Sequence, residues 1–193
     1  MKNLNILCSI LLLVLFSFEG MAQQKKYEIV EGAGYLEISG TSNTSDWQLK
    51  SNALTGDAQM IVKDGALSNL ARVIVNIDAK TIENPDNKRM TRTAHKTLLI
   101  GDNPTVTFFA YGFSQVNDGP KKIMGNIYLG GANVDVSFDF QSWTQEDIVW
   151  ISAEGELKFS DFGLEPPDDF GGAVQTNDAF KVVVQMPFEL PEK

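Results

Sequence analysis

His95 is the only histidine of the chain, so a hydrolase of the serine–histidine type would have to use it as its base. At helical spacing its neighbours are Lys88, Thr91 and Arg92. The two cations, Lys88 and Arg92, disfavour a proton on the imidazole, and no carboxylate is placed to orient the ring. We therefore expect no catalytic residue and no enzymatic activity. The hydrolase alternative predicts that His95→Ala abolishes turnover.

The sequence also offers no recognisable site for a metal or a cofactor. One cysteine and one histidine cannot form a Cys/His zinc site. The aspartates Asp161, Asp168 and Asp169 lack the spacing of an EF-hand loop. Gly32-Ala33-Gly34 lacks the third glycine and the helix of a phosphate-binding fingerprint. We expect neither metal nor cofactor.

A cluster of basic residues has two interpretations. Lys88, Arg89, Arg92 and Lys96 lie within nine positions of an otherwise acidic chain. They could form a solvated helix face, or a patch at a cavity mouth that receives phosphate or carboxylate groups. The sequence leaves both interpretations open.

Length and composition indicate one folded domain. The chain has 193 residues, 43% of them hydrophobic, and a net charge of −9 from 16 basic and 25 acidic residues. This charge repels nucleic acid, so we expect no nucleic-acid partner. The hydrophobic content is too high for a disordered chain.

The first 22 residues are typical of a secretory signal peptide. Lys2 precedes an apolar run from residue 6 to residue 18, and small residues precede a cleavage site after Ala22. The run is shorter than the ~20 residues that span a bilayer, so a permanent membrane anchor is the second interpretation. We expect a domain over residues 23–193 that is periplasmic or otherwise exported.

Most of the remaining chain alternates between apolar and polar residues. The clearest run is Val134, Val136, Phe138 and Phe140, which alternate with polar residues. Similar runs occur near residues 36–39, 72–78, 156–160 and 181–186. This period predicts antiparallel strands with one buried face, in a sandwich or a closed up-and-down barrel. The abundant aromatic residues fit a packed sandwich core and a lined barrel interior equally well.

One segment has helical periodicity instead. Met90, Ala94 and Leu98 recur every four residues, and Asn84 or Asp86 would cap the start of a helix. Gly101 to Pro104 ends the pattern. We predict one inserted α-helix over about Asp86–Leu99.

Particular sequence segments are more informative than the alternation of apolar and polar residues. Four segments occur in order: Tyr35–Asn43 followed by Asp46-Trp47, Met90 with His95–Leu98 and Asn103–Phe108, Gly125–Gly131, and Gly155–Pro167. The most distinctive parts are Gly40-Thr41-Ser42-Asn43 with Trp47, and Asp161-Phe162-Gly163 followed by Pro166-Pro167. Over about residues 27–190 the chain resembles the YceI-like family of exported lipid-binding proteins. It departs at residues 31–34, where many members carry a histidine, so no role of that histidine transfers.

The resemblance implies an all-β, lipocalin-like, eight-stranded antiparallel barrel with the one inserted helix. It also implies a non-catalytic binding protein for a polyisoprenoid or similar amphiphile, such as an isoprenoid quinone or a polyprenyl phosphate. Homodimer formation stays open. We expect Arg89, Arg92, His95 and Lys96 near the ligand head group. The expected lining residues are Val106, Phe108, Val134, Val136, Phe138, Phe140, Leu157, Phe159, Val182 and Val184.

A second hypothesis is a stress-response or structural interaction protein whose barrel is filled by its own side chains. Large residues at every inward position would favour it. Gly125, Ala153 and Ala173 are small residues at expected inward positions, which argues for a cavity.

Overall fold

The computed structural model describes residues 23–115, 121–169 and 171–191. The predicted signal peptide, residues 1–22, lies outside the described residues, and its cleavage stays a prediction. One α-helix, α1 (Lys88–Thr97), and eleven strands are formed by the described residues. The strands are β1 (Lys25–Ile29), β2 (Tyr35–Ser42), β3 (Asp46–Ser51), β4 (Leu54–Lys63), β5 (Ala66–Asp78), β6 (Thr105–Gln115), β7 (Lys121–Leu129), β8 (Ala132–Gln145), β9 (Ile148–Lys158), β10 (Asp168–Asp169) and β11 (Val174–Glu189).

Eight of these strands close into an antiparallel ring. The order around the ring is β1, β4, β5, β6, β7, β8, β9 and β11. The ring closes where Ile29 of β1 pairs with Phe188 of β11. Closure removes the exposed sheet edges that an open sandwich would leave. The predicted eight-stranded barrel is therefore confirmed.

The hairpin of β2 and β3 lies outside the ring. β2 continues along the edge of β11 beyond β1, with Ile38 paired to Val182. The turn before β2 separates these two strands, and Val30 donates its N–H to the carbonyl of Pro187 across 2.9 Å. The hairpin thus extends the barrel wall at one end, next to the helix.

Alternation of side chains produces the buried interior. Along β8 the residues Val136, Phe138 and Phe140 are buried, whereas Asp135 and Ser137, which alternate with them, are exposed. Leu157 also follows the predicted pattern, but Phe159 lies in a 3₁₀ turn over Phe159–Phe162 because β9 ends at Lys158. One contiguous cluster of buried apolar side chains fills much of the ring.

Helix α1 is shorter than predicted. It spans Lys88–Thr97 rather than Asp86–Leu99, and the side chain of Asn87 caps it by accepting from the N–H of Met90 across 3.0 Å. Neither predicted residue caps the helix; the side chain of Asn84 instead accepts from the N–H of Asp86 and donates to the carbonyl of Gln48. No helix in the described part of the chain is long and apolar enough to cross a membrane.

The two ends of the barrel differ. At one end, here called the helix end, α1 connects β5 to β6, and the β7–β8 turn lies beside this connection. The other end is called the hairpin end after the tight turns that join β4 to β5 and β8 to β9. The β2–β3 hairpin, by contrast, lies at the helix end. The helix end therefore carries the long connections from which a binding site can be built.

Candidate functional site

The barrel contains a cavity of about 430 Å³ at its helix end. This volume lies within the range of ~300–1,000 Å³ that is usual for small-molecule sites. The inward faces of the ring strands and of the β2–β3 hairpin supply most of its walls. Apolar side chains line it, among them Leu36, Ile38, Leu49, Val73, Val75, Ile77, Ile82, Ile123, Ile127, Leu129, Ile151, Ala153 and Met186. Such walls favour an apolar ligand, because contact removes apolar surface from water.

Helix α1 forms the roof of the cavity. Met90, Ala94 and Leu98 contribute the predicted apolar stripe and line the cavity together with Thr93 and Thr97. The ring of His95 is positioned by a hydrogen bond of 2.9 Å from Nε2 to the carbonyl of Ile82. The helix therefore docks by apolar packing and by polar contacts along its flank.

One wall depends on a glycine that faces an indole. Gly40 on β2 pairs with Trp47 on β3, and a Cβ on Gly40 would collide with the Trp47 ring. The ring lies across the glycine, and its Nε1 donates to the carbonyl of Thr41 across 3.3 Å. Phe159 packs at 6.3 Å from Trp47 and at 4.7 Å from Phe180, between ring centroids. These three aromatic residues form a continuous side of the cavity.

A hydrogen-bonded carboxylate holds the 3₁₀ turn that supplies Phe159. Asp178 accepts from the Ser160 N–H across 2.9 Å and from the Ser160 hydroxyl across 2.6 Å. These hydrogen bonds, the hydroxyl first, hold the pKa of Asp178 below its ordinary value because they favour the ionised form. The carboxylate thus connects β11 to the aromatic wall.

The polar lining residues mark the mouth of the cavity. Ser42, Thr44 and Ser45 come from the β2–β3 turn, and Asp168 and Thr176 come from β10 and β11. Asn87 and Arg89 come from the start of α1. Arg89 and Asp168 are the charged lining residues in the described part of the chain, and their formal charges cancel. The mouth therefore offers hydroxyl and amide hydrogen bonds without a strong net charge.

The structure brings seven of the ten predicted lining residues to the cavity. They are Val106, Phe108, Phe138, Leu157, Phe159, Val182 and Val184. Val134, Val136 and Phe140 do not line the cavity; Val136 and Phe140 belong to the buried core cluster, and Val134 packs against it. They share the inward face of β8, but the ring of Phe140 packs 5.1 Å from that of Phe113 and the cavity ends before it. Contact with a ligand stays a prediction for all ten positions.

The predicted head-group residues are separated by the turn of the helix. Arg89 lies at the mouth, whereas Arg92, His95 and Lys96 do not line the cavity. Arg92 points away because it lies on the opposite side of α1 from Met90, and Arg92 and Lys96 are exposed. The solvated-face interpretation therefore describes most of the basic cluster, and only Arg89 fits the other interpretation.

The sequence prediction missed several residues that line the cavity, although they belong to alternating apolar and polar runs. Leu36 and Ile38 alternate on β2, and Val73, Val75 and Ile77 alternate on β5, yet neither run was assigned to the site. Of the small residues, Ala153 lines the cavity, Gly125 lies against the backbone of β6, and Ala173 is exposed in a turn. The mouth residues of the β2–β3 turn carry no periodic signal, so only the fold reveals them.

A closed antiparallel barrel with an apolar cavity under a helix defines the class of small β-barrels that can hold a ligand inside. The family model of the YceI-like domain matches residues 27–188. The chain therefore belongs to the YceI-like family, which confirms the resemblance.

Solved structures share this fold at low sequence identity. The structure of BcnA from Burkholderia cenocepacia has a TM-score of 0.66 and 10% identity, covering 82% of this chain and 98% of that one. A polyisoprenoid-binding domain from Saccharophagus degradans, described as implicated in plant cell wall breakdown, has a TM-score of 0.60 and 12% identity, with coverages of 86% and 98%. The YceI protein of Campylobacter jejuni has a TM-score of 0.58 and 14% identity, with coverages of 79% and 85%. None of the curated proteins matches this sequence.

Proposed function

We propose that this chain is an exported, non-catalytic binding protein that holds a polyisoprenoid-type amphiphile in its barrel. The observation that carries the proposal is the apolar cavity of about 430 Å³ beneath α1. Burial of an apolar chain there would supply about 25 cal/mol per Å² before ordering costs. The description of the Saccharophagus degradans domain as polyisoprenoid-binding supports the same ligand class.

The mouth favours a head group that is polar but uncharged. Ser45 and Thr176 carry hydroxyls that can donate hydrogen bonds to carbonyl or hydroxyl oxygens, and Arg89 adds a positive charge. Asp168 would repel a phosphate at the same opening. Between the two expected ligands, an isoprenoid quinone therefore fits better than a polyprenyl phosphate.

Export and assembly belong to the same proposal. The signal-peptide pattern of residues 1–22 supports a periplasmic or otherwise exported location. Homodimer formation stays a prediction, to be checked by the sedimentation mass of the purified protein.

The alternative of a self-filled barrel applies to only part of the interior. Core side chains pack the hairpin end, whereas space remains at the helix end. The cavity favours the binding function over a purely structural one.

Extraction of the protein from its own host tests the proposal. Mass spectrometry of an organic extract should release a long apolar molecule in about stoichiometric amount. Phe138→Asp should lose it, because an unpaired carboxylate in an apolar wall is strongly disfavoured beside a hydrocarbon. The control is Ser137→Asp, which places the same charge on the exposed face of β8.

Folding is checked separately, because Phe138 is buried. Ile38→Asp provides a second variant at a half-buried lining position outside the ring. If folded wild-type protein consistently yields no apolar molecule, or if both variants keep it, the proposed function is wrong.

A further inference from the structure

The cavity ends in the same way on several strands. On each of four strands the last lining residue is followed, toward the hairpin end, by an inward residue that does not line the cavity. These pairs are Val73 and Leu70 on β5, Phe138 and Phe140 on β8, Ile151 and Val149 on β9, and Met186 and Phe188 on β11. The lower residues therefore form a floor across the barrel.

The floor is densely packed. Leu70, Phe140, Val149 and Phe188 are at most 3% exposed, and Met60 of β4 is fully buried beside them in the same core cluster. Val149 pairs with Phe188, and Phe140 pairs with Ala153, a lining residue two inward positions above Val149 on β9. Closely packed side chains of this kind leave no passage for a chain of methylene groups.

The volume above the floor sets a length. An engineered cavity of about 150 Å³ accommodates benzene, which corresponds to about 25 Å³ per non-hydrogen atom. At that ratio, 430 Å³ holds about 17 such atoms. That is about three isoprene units with a small head group.

We propose that the barrel measures its ligand: it takes about three isoprene units between floor and mouth, and the rest of a longer chain stays outside. This inference rests on the proposed function and specifies its ligand. The apolar end of the chain lies on the floor, and the head group or the remaining chain emerges between the β2–β3 turn and the start of α1. The floor, rather than the mouth, therefore sets the length of hydrocarbon that contributes to affinity.

Titration of delipidated protein with prenols of two, three, four and nine isoprene units tests this inference. Trp47 lines the cavity, so its fluorescence reports occupancy. We expect the affinity to rise at least about tenfold from two units to three, because each buried CH₂ contributes. Beyond four units the affinity should change by less than about threefold.

Ala153→Leu tests the floor directly. Ala153 lines the cavity and pairs with Phe140 of the floor, so added carbons at this position extend into the cavity beside the floor. We expect the affinity for three units to fall about tenfold or more, while that for two units falls less than threefold. Ser152→Leu, on the opposite face of β9, should leave the series unchanged.

The outcomes separate the two proposals. If no prenol binds to folded protein, the proposed function fails and this inference with it. If prenols bind but their affinity keeps rising up to nine units, the length limit set by the floor is wrong and the proposed binding function stands. The same conclusion follows if Ala153→Leu weakens the binding of prenols of every length equally. A plateau near three or four units that shortens in Ala153→Leu supports the inference.

Discussion

At the scale of single residues, missing Cβ atoms shape the cavity as much as the apolar side chains do. Gly40 gives the Trp47 indole its place, and Gly155 does the same for Phe138, whose Cδ1 would lie 2.5 Å from an added Cβ. The sequence contains both glycines, but nothing in it pairs Gly155 with a residue seventeen positions earlier. The register between β8 and β9 creates that pairing.

Asp178 gives a pH-dependent prediction. Because hydrogen bonds from Ser160 lower its pKa in the folded protein, the folded state binds this proton less tightly than the unfolded state does. Its contribution to stability is therefore present above the ordinary aspartate pKa of about 4 and is lost as the pH falls through the lowered value. We expect Asp178→Asn to lower the urea midpoint at pH 7 and to leave it nearly unchanged at about pH 2.

The comparison of urea midpoints at the two pH values checks this prediction. The matched control is Asp161→Asn, which neutralises an exposed aspartate in the turn that Asp178 holds. An equal loss of stability for Asp178→Asn at both pH values would show that its carboxylate charge contributes nothing.

At the scale of elements, the predicted helix shows where sequence reasoning succeeds and where it stops. The spacing of Met90, Ala94 and Leu98 identified the buried face because helical geometry alone determines it. The cap could not be chosen from the sequence, since Asn87, which was not among the two predicted caps, lies beside Asn84 and Asp86 and has an equally suitable side chain. Asn84 is occupied by the carbonyl of Gln48, a contact between segments far apart in the chain, and this leaves Asn87 as the cap.

Loss of this cap should loosen the roof of the cavity. Asn87→Ala removes the acceptor for the Met90 N–H, so we expect a loss of about 1 kcal/mol in unfolding free energy. Hydrogen exchange in the first turn of α1 should rise with it. Asn87→Ser keeps an acceptor and should restore most of the stability. Equal exchange rates in Asn87→Ala and the wild type would contradict a capping role.

At the scale of the whole molecule, the closed ring follows from alternation, whereas the extent of its filling does not. Val134, Val136 and Phe140 share the pattern of Phe138, so the sequence assigned all four to the lining. Phe140 lies deeper than Phe138 and packs beside Phe113, whereas Val134 and Val136 lie nearer the helix end than Phe138 and still do not line the cavity, so the alternation cannot tell these positions apart. An inward position is therefore predictable from sequence, but a position beside empty space is not.

This division of the interior predicts how the whole barrel responds to its ligand. A ligand that binds only the folded state stabilises it by RT ln(1 + [L]/Kd), which is about 2.7 kcal/mol at 100 times Kd. For a domain of about 170 residues this corresponds to a rise in Tm of about 5–10 °C over the delipidated protein. Differential scanning calorimetry with a three-unit prenol measures the shift, with Ser137→Asp as a responsive control and Phe138→Asp as an unresponsive variant. An identical Tm in the loaded and delipidated wild type would mean that hydrocarbon does not occupy the folded barrel, because binding and stabilisation are thermodynamically linked.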